Sequence, residues 1–266
     1  MEIRKKNNMN KIQAIFFDVD GTLLDFDTHT LSQSTIEALN ALKRSGIKIA
    51  LATNRSLKEV LEIPKIDQIE WDGYVISAGG EVRNKDREIV YKTIFTNSNL
   101  KKVFAIADEN HIPVYYFQQT GKLTEKNQYT DEFTDHYGMK EVRVYPWNGA
   151  MTGMVTLIDP DIERLRQLTA DIPGIRTMKS CAVALDIFPK YAQKANGVAH
   201  LMKYWQLEYY GAFGDSENDN QMLKNAELSF AMPWASDSTK SIADIVVEDH
   251  RENSIAYALK ERNIFS

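Results

Sequence analysis

Apolar residues are grouped along the chain into short continuous runs that end at polar or glycine-containing turns. The runs 14–17 and 74–76 are of this kind, as is 47–52 apart from Lys48, and such runs are typical of strands buried on both faces of a sheet. The stretches 34–44 and 56–61 lie between them and place apolar residues at helical spacing. Strands and helices therefore alternate, and this order predicts right-handed βαβ units around a parallel sheet.

The pattern changes after Gly80. A hairpin is predicted over 81–91, and the segment that follows mixes amphipathic helices with strands of alternating polarity. The earlier strand–helix order then resumes toward the end of the chain. We therefore predict a split core domain, 1–81 and 186–266, that carries an inserted α+β domain, 82–185.

Composition narrows the class of protein. The chain has 266 residues, of which 43% are hydrophobic and 26% charged, as in an ordinary soluble globular protein. Its formal net charge of -5 indicates no general affinity for nucleic acid or for anionic membranes. The one cysteine, Cys181, excludes an intrachain disulfide, and no apolar run approaches transmembrane length. We expect a protein of the reducing cytoplasm that binds neither nucleic acid nor membrane.

Two carboxylates follow the first predicted strand directly. Asp18 and Asp20 are one residue apart, and alternation along a strand directs both side chains the same way. Two carboxylates this close repel each other unless a cation or a shared proton intervenes. The pair therefore indicates a metal site, an acid/base pair or both. The alternative is an Asx turn that closes the strand.

Three predicted core strands end in polar clusters, and the start of a helix adds an ammonium group. Because the carboxyl ends of parallel strands lie at one edge of a sheet, these groups should meet in one crevice. Oxygen ligands without His or Cys favour Mg²⁺ over zinc, and such a site suits phosphoryl transfer, in which a carboxylate can be the nucleophile. The residues of this set are Asp18, Asp20, Thr53, Asn54, Lys194, Asp215, Asn218 and Asp219.

Several of these residues also have a structural interpretation. Thr53 could be a helix N-cap, Lys194 a solvated charge, and Asp219 an acid in the first turn of a helix. Arg55, which follows the second strand, could contact a substrate or pair at the surface. The five histidines are scattered without the spacing of metal ligands.

Four motifs in order resemble those of the haloacid dehalogenase-type phosphatases. They are Asp18-Val19-Asp20-Gly21-Thr22, Thr53, Lys194 and Gly214-Asp215-Ser216-Glu217-Asn218-Asp219. The insert is similar to the α/β (C2-type) cap of the Cof-type subgroup. The resemblance covers the whole chain and implies an α/β fold with a Rossmann-like parallel sheet in a three-layer α/β/α core and an inserted α+β cap.

The resemblance also implies roles for single residues. Asp18 would attack phosphorus, and Asp20 would protonate the leaving oxygen and then activate water. Mg²⁺ would be held by the Asp18 carboxylate, the backbone carbonyl of Asp20 and Asp215, while Asp219 would complete the metal group by orienting metal-bound water or Lys194. The phosphoryl oxygens would be held by Thr53, Asn54, Lys194 and Asn218.

The chain departs from the family pattern in three places. Thr53-Asn54-Arg55 stands where the family often has Thr-Gly-Arg, and Ala78-Gly79-Gly80 where it often has Asn-Gly-Ala. Met232-Pro233-Trp234-Ala235 replaces the common Met-Gly-Asn-Ala. These segments lie near the leaving group or the cap hinge, so they concern the identity of the substrate more than the chemistry.

The sequence thus predicts a Mg²⁺-dependent phosphatase that acts on small phosphate monoesters, either sugar phosphates or a phosphorylated cofactor, through an aspartyl-phosphate. Its partner would be this small-molecule ester, and the chain would be a monomer or a homodimer. Two alternatives remain open at this point. One is a phosphotransferase or phosphomutase with the same intermediate, and the other is a non-catalytic ligand sensor on the same scaffold.

Overall fold

The structure, a computed structural model, describes residues 11–24, 30–117, 120–139, 141–262 and 264. Two compact units make up the chain. The first consists of Met1–Lys92 with Ala192–Ser266, and the second is Thr93–Tyr191.

An eight-stranded sheet organises the first unit, in the order β14-β13-β12-β1-β2-β3-β4-β5. Its six strands from β14 to β3 are parallel, as the alternation of strands and helices predicts, and β4 and β5 are antiparallel. The strand ranges are β1 (Ala14–Phe17), β2 (Lys48–Ala52), β3 (Gly73–Ile76), β4 (Glu81–Asn84), β5 (Ile89–Lys92), β12 (Tyr210–Gly214), β13 (Leu228–Ala231) and β14 (Ile245–Val246).

Helices cover both faces of this sheet, which gives the predicted three-layer α/β/α core. Side chains of β1 alternate between the two apolar clusters: Phe17 packs with the layer of α1 and α9, and Phe16 with the layer of α6 and α7. Because both faces are covered, the strand is apolar at every position. The helices of this unit are α1 (Gln33–Arg44), α2 (Leu57–Leu61), α6 (Lys194–Trp205), α7 (Asn220–Asn225), α8 (Asp237–Ile242) and α9 (Ser254–Glu261).

The hairpin after Gly80 lies in the first unit. β4 pairs with β3 in antiparallel register, with Val82 opposite Val75, and β5 pairs with β4. The predicted core ended at residue 81, whereas the compact unit continues to Lys92 because these main-chain hydrogen bonds extend the core sheet. The hairpin itself was predicted correctly, and its turn is held by Asn84, whose side-chain oxygen accepts from the N–H of Asp86 and of Glu88.

A six-stranded, mainly antiparallel sheet forms the second unit, in the order β10-β11-β9-β6-β7-β8. Helices pack on it, and its apolar residues form cores of their own, so this unit is an α+β insert, as predicted. Its strands are β6 (Val114–Phe117), β7 (Gly121–Leu123), β8 (Arg143–Val144), β9 (Val155–Ile158), β10 (Ile175–Cys181) and β11 (Ala184–Pro189). Its helices are α3 (Asn97–Glu109), α4 (Gln128–His136) and α5 (Ile162–Thr169). Among the described residues of the chain, no helix is both long and apolar enough to span a membrane.

Candidate active site

The polar ends of three parallel strands meet at one edge of the core sheet. Asp18 follows β1, Thr53 follows β2, and Asp215 follows β12, which pairs with β1 on the side opposite β2. The backbone N–H of Asp18 donates to the carbonyl of Phe213 at 3.1 Å, so the ladder between β1 and β12 continues to the aspartate. The predicted convergence of these strand ends is therefore present.

A buried lysine connects two of the aspartates. The ammonium of Lys194, the first residue of α6, donates to Asp18 Oδ1 at 2.5 Å and to Asp219 Oδ1 at 2.7 Å. All three side chains are at least 95% buried. The interpretation of Lys194 as a solvated charge is therefore wrong, because a buried ammonium needs such partners.

Asp215 completes a cluster of three carboxylates. Oxygens of Asp18, Asp215 and Asp219 lie within 4.8 Å of one another. Both oxygens of Asp219 accept hydrogen bonds, since Oδ2 takes the backbone N–H groups of Asp215 and Ser216 at 3.1 and 3.3 Å. In contrast, Asp215 Oδ1 is buried and has no hydrogen-bond partner among the described residues.

Burial shifts the pKa values of the charged groups in this cluster. Burial raises the pKa of Asp18 well above its usual value despite the opposing charge of Lys194. Burial, with the charge of Asp219, raises the pKa of Asp215 to about 7. Burial by itself lowers the pKa of Lys194, but the charges of Asp18 and Asp219 outweigh it, so that pKa is raised and the ammonium stays charged.

The donor set fits a hard divalent cation. Lys194 bonds two of the three carboxylates, and in the described part of the chain the buried Asp215 Oδ1 has no donor. A cation of two charges would offset the remaining repulsion, and oxygen-only ligands are those that Mg²⁺ takes. The cluster can therefore hold a metal through Asp18 and Asp215.

Asp20 lies outside the buried cluster. Its carboxylate is half-exposed and forms a two-point ion pair with Arg55, with Nε to Oδ2 at 2.9 Å and Nη2 to Oδ1 at 2.6 Å. Burial lowers the pKa of Arg55, but the hydrogen bonds that Arg55 donates to Asp20 and the charge of Asp20 outweigh burial and raise this pKa. The sequence left the role of Arg55 open, and the structure pairs it with the second aspartate of the motif.

The remaining predicted residues are placed as follows. Thr53 is buried, and its hydroxyl oxygen accepts from the N–H of Arg55 at 3.1 Å. It is not a helix N-cap, because Ser56 caps α2.

The side-chain oxygen of the half-buried Asn54 has no partner among the described residues. Asn218 is half-buried, and its Oδ1 accepts from the hydroxyl of Ser216 at 2.9 Å.

A glycine that sequence reasoning did not assign to the site positions the start of α6. Gly79 has a φ of +83°, and a Cβ at this residue would lie 2.1 Å from the carbonyl oxygen of Gln193, next to Lys194. Ser77 and Ala78 before it also have positive φ, of 51° and 55°. The Gly-Gly pair was a signal for a special backbone conformation, but not for the packing partner.

Substitution of Gly79 by alanine is expected to lower the free energy of unfolding by more than about 2 kcal/mol. The left-handed conformation alone costs a side chain about 1–2 kcal/mol, and the Cβ also forces α6 away from its position. Gly46→Ala is the matched control, since Gly46 has a φ of +81° with nothing within 4 Å of a Cβ. Urea unfolding of both variants measures the difference. Equal losses of stability would contradict the close packing at Gly79.

Comparison with known proteins gives consistent matches. A model of the haloacid dehalogenase-like hydrolases matches residues 15–259. The phosphatase BT1666 from Bacteroides thetaiotaomicron has a TM-score of 0.87 to this chain and 26% sequence identity, over 96% of each chain. The sugar phosphatase BT4131 has a TM-score of 0.82 and 25% identity, over 95% of this chain and 100% of that one.

A phosphatase whose name states its substrate also matches nearly the whole length of this chain. The 5-amino-6-(5-phospho-D-ribitylamino)uracil phosphatase YcsE of Bacillus subtilis is 22% identical over 254 residues, which are 94% of this chain and 95% of that protein. The family match spans the residues from Asp18 to Asp219 that carry the four motifs.

Proposed function

The chain belongs to the haloacid dehalogenase-like hydrolase family as a phosphatase, and on this premise we propose that it hydrolyses small phosphate monoesters through a phosphorylated Asp18. The observation that carries the proposal is the buried cluster of Asp18, Asp215 and Asp219 bridged by Lys194 at the carboxyl edge of the parallel sheet. In this proposal Asp18 is the nucleophile, Lys194 is one cation, and the carboxylates would hold a second.

The reaction consists of two displacements at phosphorus. In the first, an Asp18 oxygen forms a bond to phosphorus while the bond to the ester oxygen breaks, and this leaving oxygen takes a proton from Asp20. In the second, water gives a proton to the Asp20 carboxylate and attacks phosphorus, which releases Asp18 and inorganic phosphate. Arg55 holds the Asp20 carboxylate in a two-point ion pair, and the first step requires that Asp20 carry a proton and leave Arg55.

Mg²⁺ would be held by the carboxylates of Asp18 and Asp215 and by the backbone carbonyl of Asp20. When bound, it supplies positive charge that offsets the carboxylates and the transferring phosphoryl group. Asp219 acts through its neighbours, because one of its oxygens holds Lys194 and the other holds the loop that carries Asp215.

The phosphoryl oxygens would be bound by donors around the cluster. Lys194 adds a charged donor, and the Thr53 hydroxyl, whose oxygen accepts from Arg55, keeps its own proton to donate. The side-chain amides of Asn54 and Asn218 provide further N–H donors at the same edge. Each such donor contributes about 10²–10³-fold to the rate of comparable reactions.

The named activities of relatives support a small, polyhydroxylated substrate. BT4131 is a sugar phosphatase, and YcsE acts on a phosphoribitylamino-uracil. We propose a sugar phosphate or a phosphorylated cofactor or cofactor precursor as the substrate class of this chain.

Metal removal tests the proposal. We expect the protein with Mg²⁺ to release phosphate from members of a panel of phosphorylated metabolites, and dialysis against a chelator to lower the rate by about 10²-fold or more, since the metal supplies several kcal/mol of charge stabilisation. Added Mg²⁺ should restore the rate. Phosphate release that is insensitive to chelation would contradict the metal site. Transfer to an excess of sugar acceptor that outruns hydrolysis would indicate a phosphotransferase instead.

A further inference from the structure

The turn that carries Asp20 is anchored from a distant loop. The N–H groups of Thr22, Leu23 and Leu24 all point to the carbonyl of Val19, at 3.3, 3.0 and 2.9 Å, so the turn closes on itself. The carbonyl of the intervening Gly21 instead accepts from the indole Nε1 of Trp234 at 2.6 Å. These two residues are 213 positions apart in the sequence.

The loop of Trp234 is itself tied to the aspartate cluster. The N–H of Met232 donates to the carbonyl of Gly214 at 3.0 Å, and the N–H of Ser236 donates to the carbonyl of Asp215 at 3.1 Å. The half-buried indole also packs against the apolar cluster that contains Leu23. Trp234 therefore links the turn after β1 to the loop after β12.

The indole bond reaches the main chain of the turn at its glycine, Gly21. Its φ of +82° is in the left-handed region, and a glycine moves between backbone conformations more readily than any other residue. The peptide that follows Gly21 is held inside the turn by the 3.3 Å bond of the Thr22 N–H to Val19, and from outside the turn by the 2.6 Å indole bond. The ion pair with Arg55 holds the carboxylate of Asp20, whereas the indole bond holds the main chain of the turn.

We propose that Trp234 is a positioning residue, which orients Asp20 as the general acid through its hydrogen bond to the Gly21 carbonyl. This inference rests on the proposed function.

Leaving-group dependence separates this role from a structural one. An alkoxide leaves poorly without a proton, whereas 4-nitrophenolate leaves readily without one. Misplacing the acid should therefore slow an alkyl phosphate more than 4-nitrophenyl phosphate. We expect Trp234→Phe, which keeps an aromatic ring but removes the N–H, to lower kcat/KM for an alkyl phosphate by about 10-fold more than for 4-nitrophenyl phosphate, since general acids contribute about 10²–10⁴-fold in total.

The ratio of the two kcat/KM values does not depend on the fraction of protein that is folded, so the test holds even if the variant is less stable. Trp71→Phe is the matched control, because Trp71 also donates its indole N–H to a main-chain carbonyl, that of Ile66 at 3.2 Å. Its ratio should equal that of the wild type. An equal loss on both substrates in Trp234→Phe would overturn the positioning role. A wild type that hydrolyses neither ester would overturn the proposed function and this inference with it.

Discussion

Replacement of Asp18 by asparagine is expected to lower kcat for phosphate release by at least about 10⁴-fold, as removal of a nucleophile does in other enzymes that use covalent catalysis. The amide is close in size to the carboxylate and can still accept from Lys194, but it is a poor nucleophile. Phosphate release with Mg²⁺ measures the loss. The intact mass after a rapid acid quench should show a phosphorylated chain in the wild type alone.

Asp72→Asn is the matched control for this change. Asp72 is also a largely buried aspartate, and its Oδ2 accepts from Lys43 Nζ at 3.2 Å and from the N–H of Ile49 at 3.0 Å. It precedes β3, at the edge of the sheet opposite the cluster. We expect its kcat to stay within about 2-fold of the wild type, as for substitutions away from the chemistry. Wild-type phosphate release in Asp18→Asn would refute the assignment of the nucleophile.

Parallel strand ends could be aligned from the sequence because their signals are local. The runs before Asp18 and Asp215 are short, apolar throughout and followed directly by polar residues. In a parallel sheet such ends must lie on one edge, and β1 indeed pairs with β12 and β2. The positions of Lys194 and Asp219 followed from the same geometry, since each begins or precedes a helix near that edge.

Pairings between distant segments could not be predicted in the same way. The hairpin of β4 and β5 carries its own turn signal, but alternation within a hairpin does not tell which sheet edge it joins. The two-point ion pair of Arg55 with Asp20 depends on side-chain rotamers. The contact of Gly79 with Gln193 depends on how two loops pack. None of these leaves a periodic pattern in the sequence.

Substitution of Lys194 by methionine is expected to reduce both stability and activity. Lys194 is about 1% exposed at its side chain and is the cation shared by Asp18 and Asp219. Methionine fills a similar volume but leaves buried carboxylates uncompensated, which costs about 3–5 kcal/mol of unfolding free energy. Loss of a charged donor to the phosphoryl group should also lower kcat by about 10²–10³-fold. Urea unfolding in the presence of a chelator, and phosphate release with Mg²⁺, measure the two effects.

Lys203→Met provides the comparison, because Lys203 lies on the same helix with its side chain exposed. We expect this control to stay within about 0.5 kcal/mol of the wild type and to keep its activity. Equal midpoints of urea unfolding for Lys194→Met and Lys203→Met would show that the buried ammonium does not hold the cluster together.

The loss of stability in Lys194→Met should depend on pH, and measuring it in the metal-free protein gives a sharper test. The pKa values of Asp18 and Asp215 are raised on folding, that of Asp215 to about 7. An acid with a raised pKa binds its proton more tightly in the folded state, so its ionisation destabilises the fold. This destabilisation is absent below the pKa of the unfolded state, near 3.8, and complete above the pKa of the folded state. Removal of Lys194 raises both pKa values further, because it takes away the charge that opposes the shift. The stability deficit should therefore be larger at about pH 8 than at about pH 5. A deficit that is the same at both pH values would mean that lost packing, and not the uncompensated charge of the buried carboxylates, accounts for the effect.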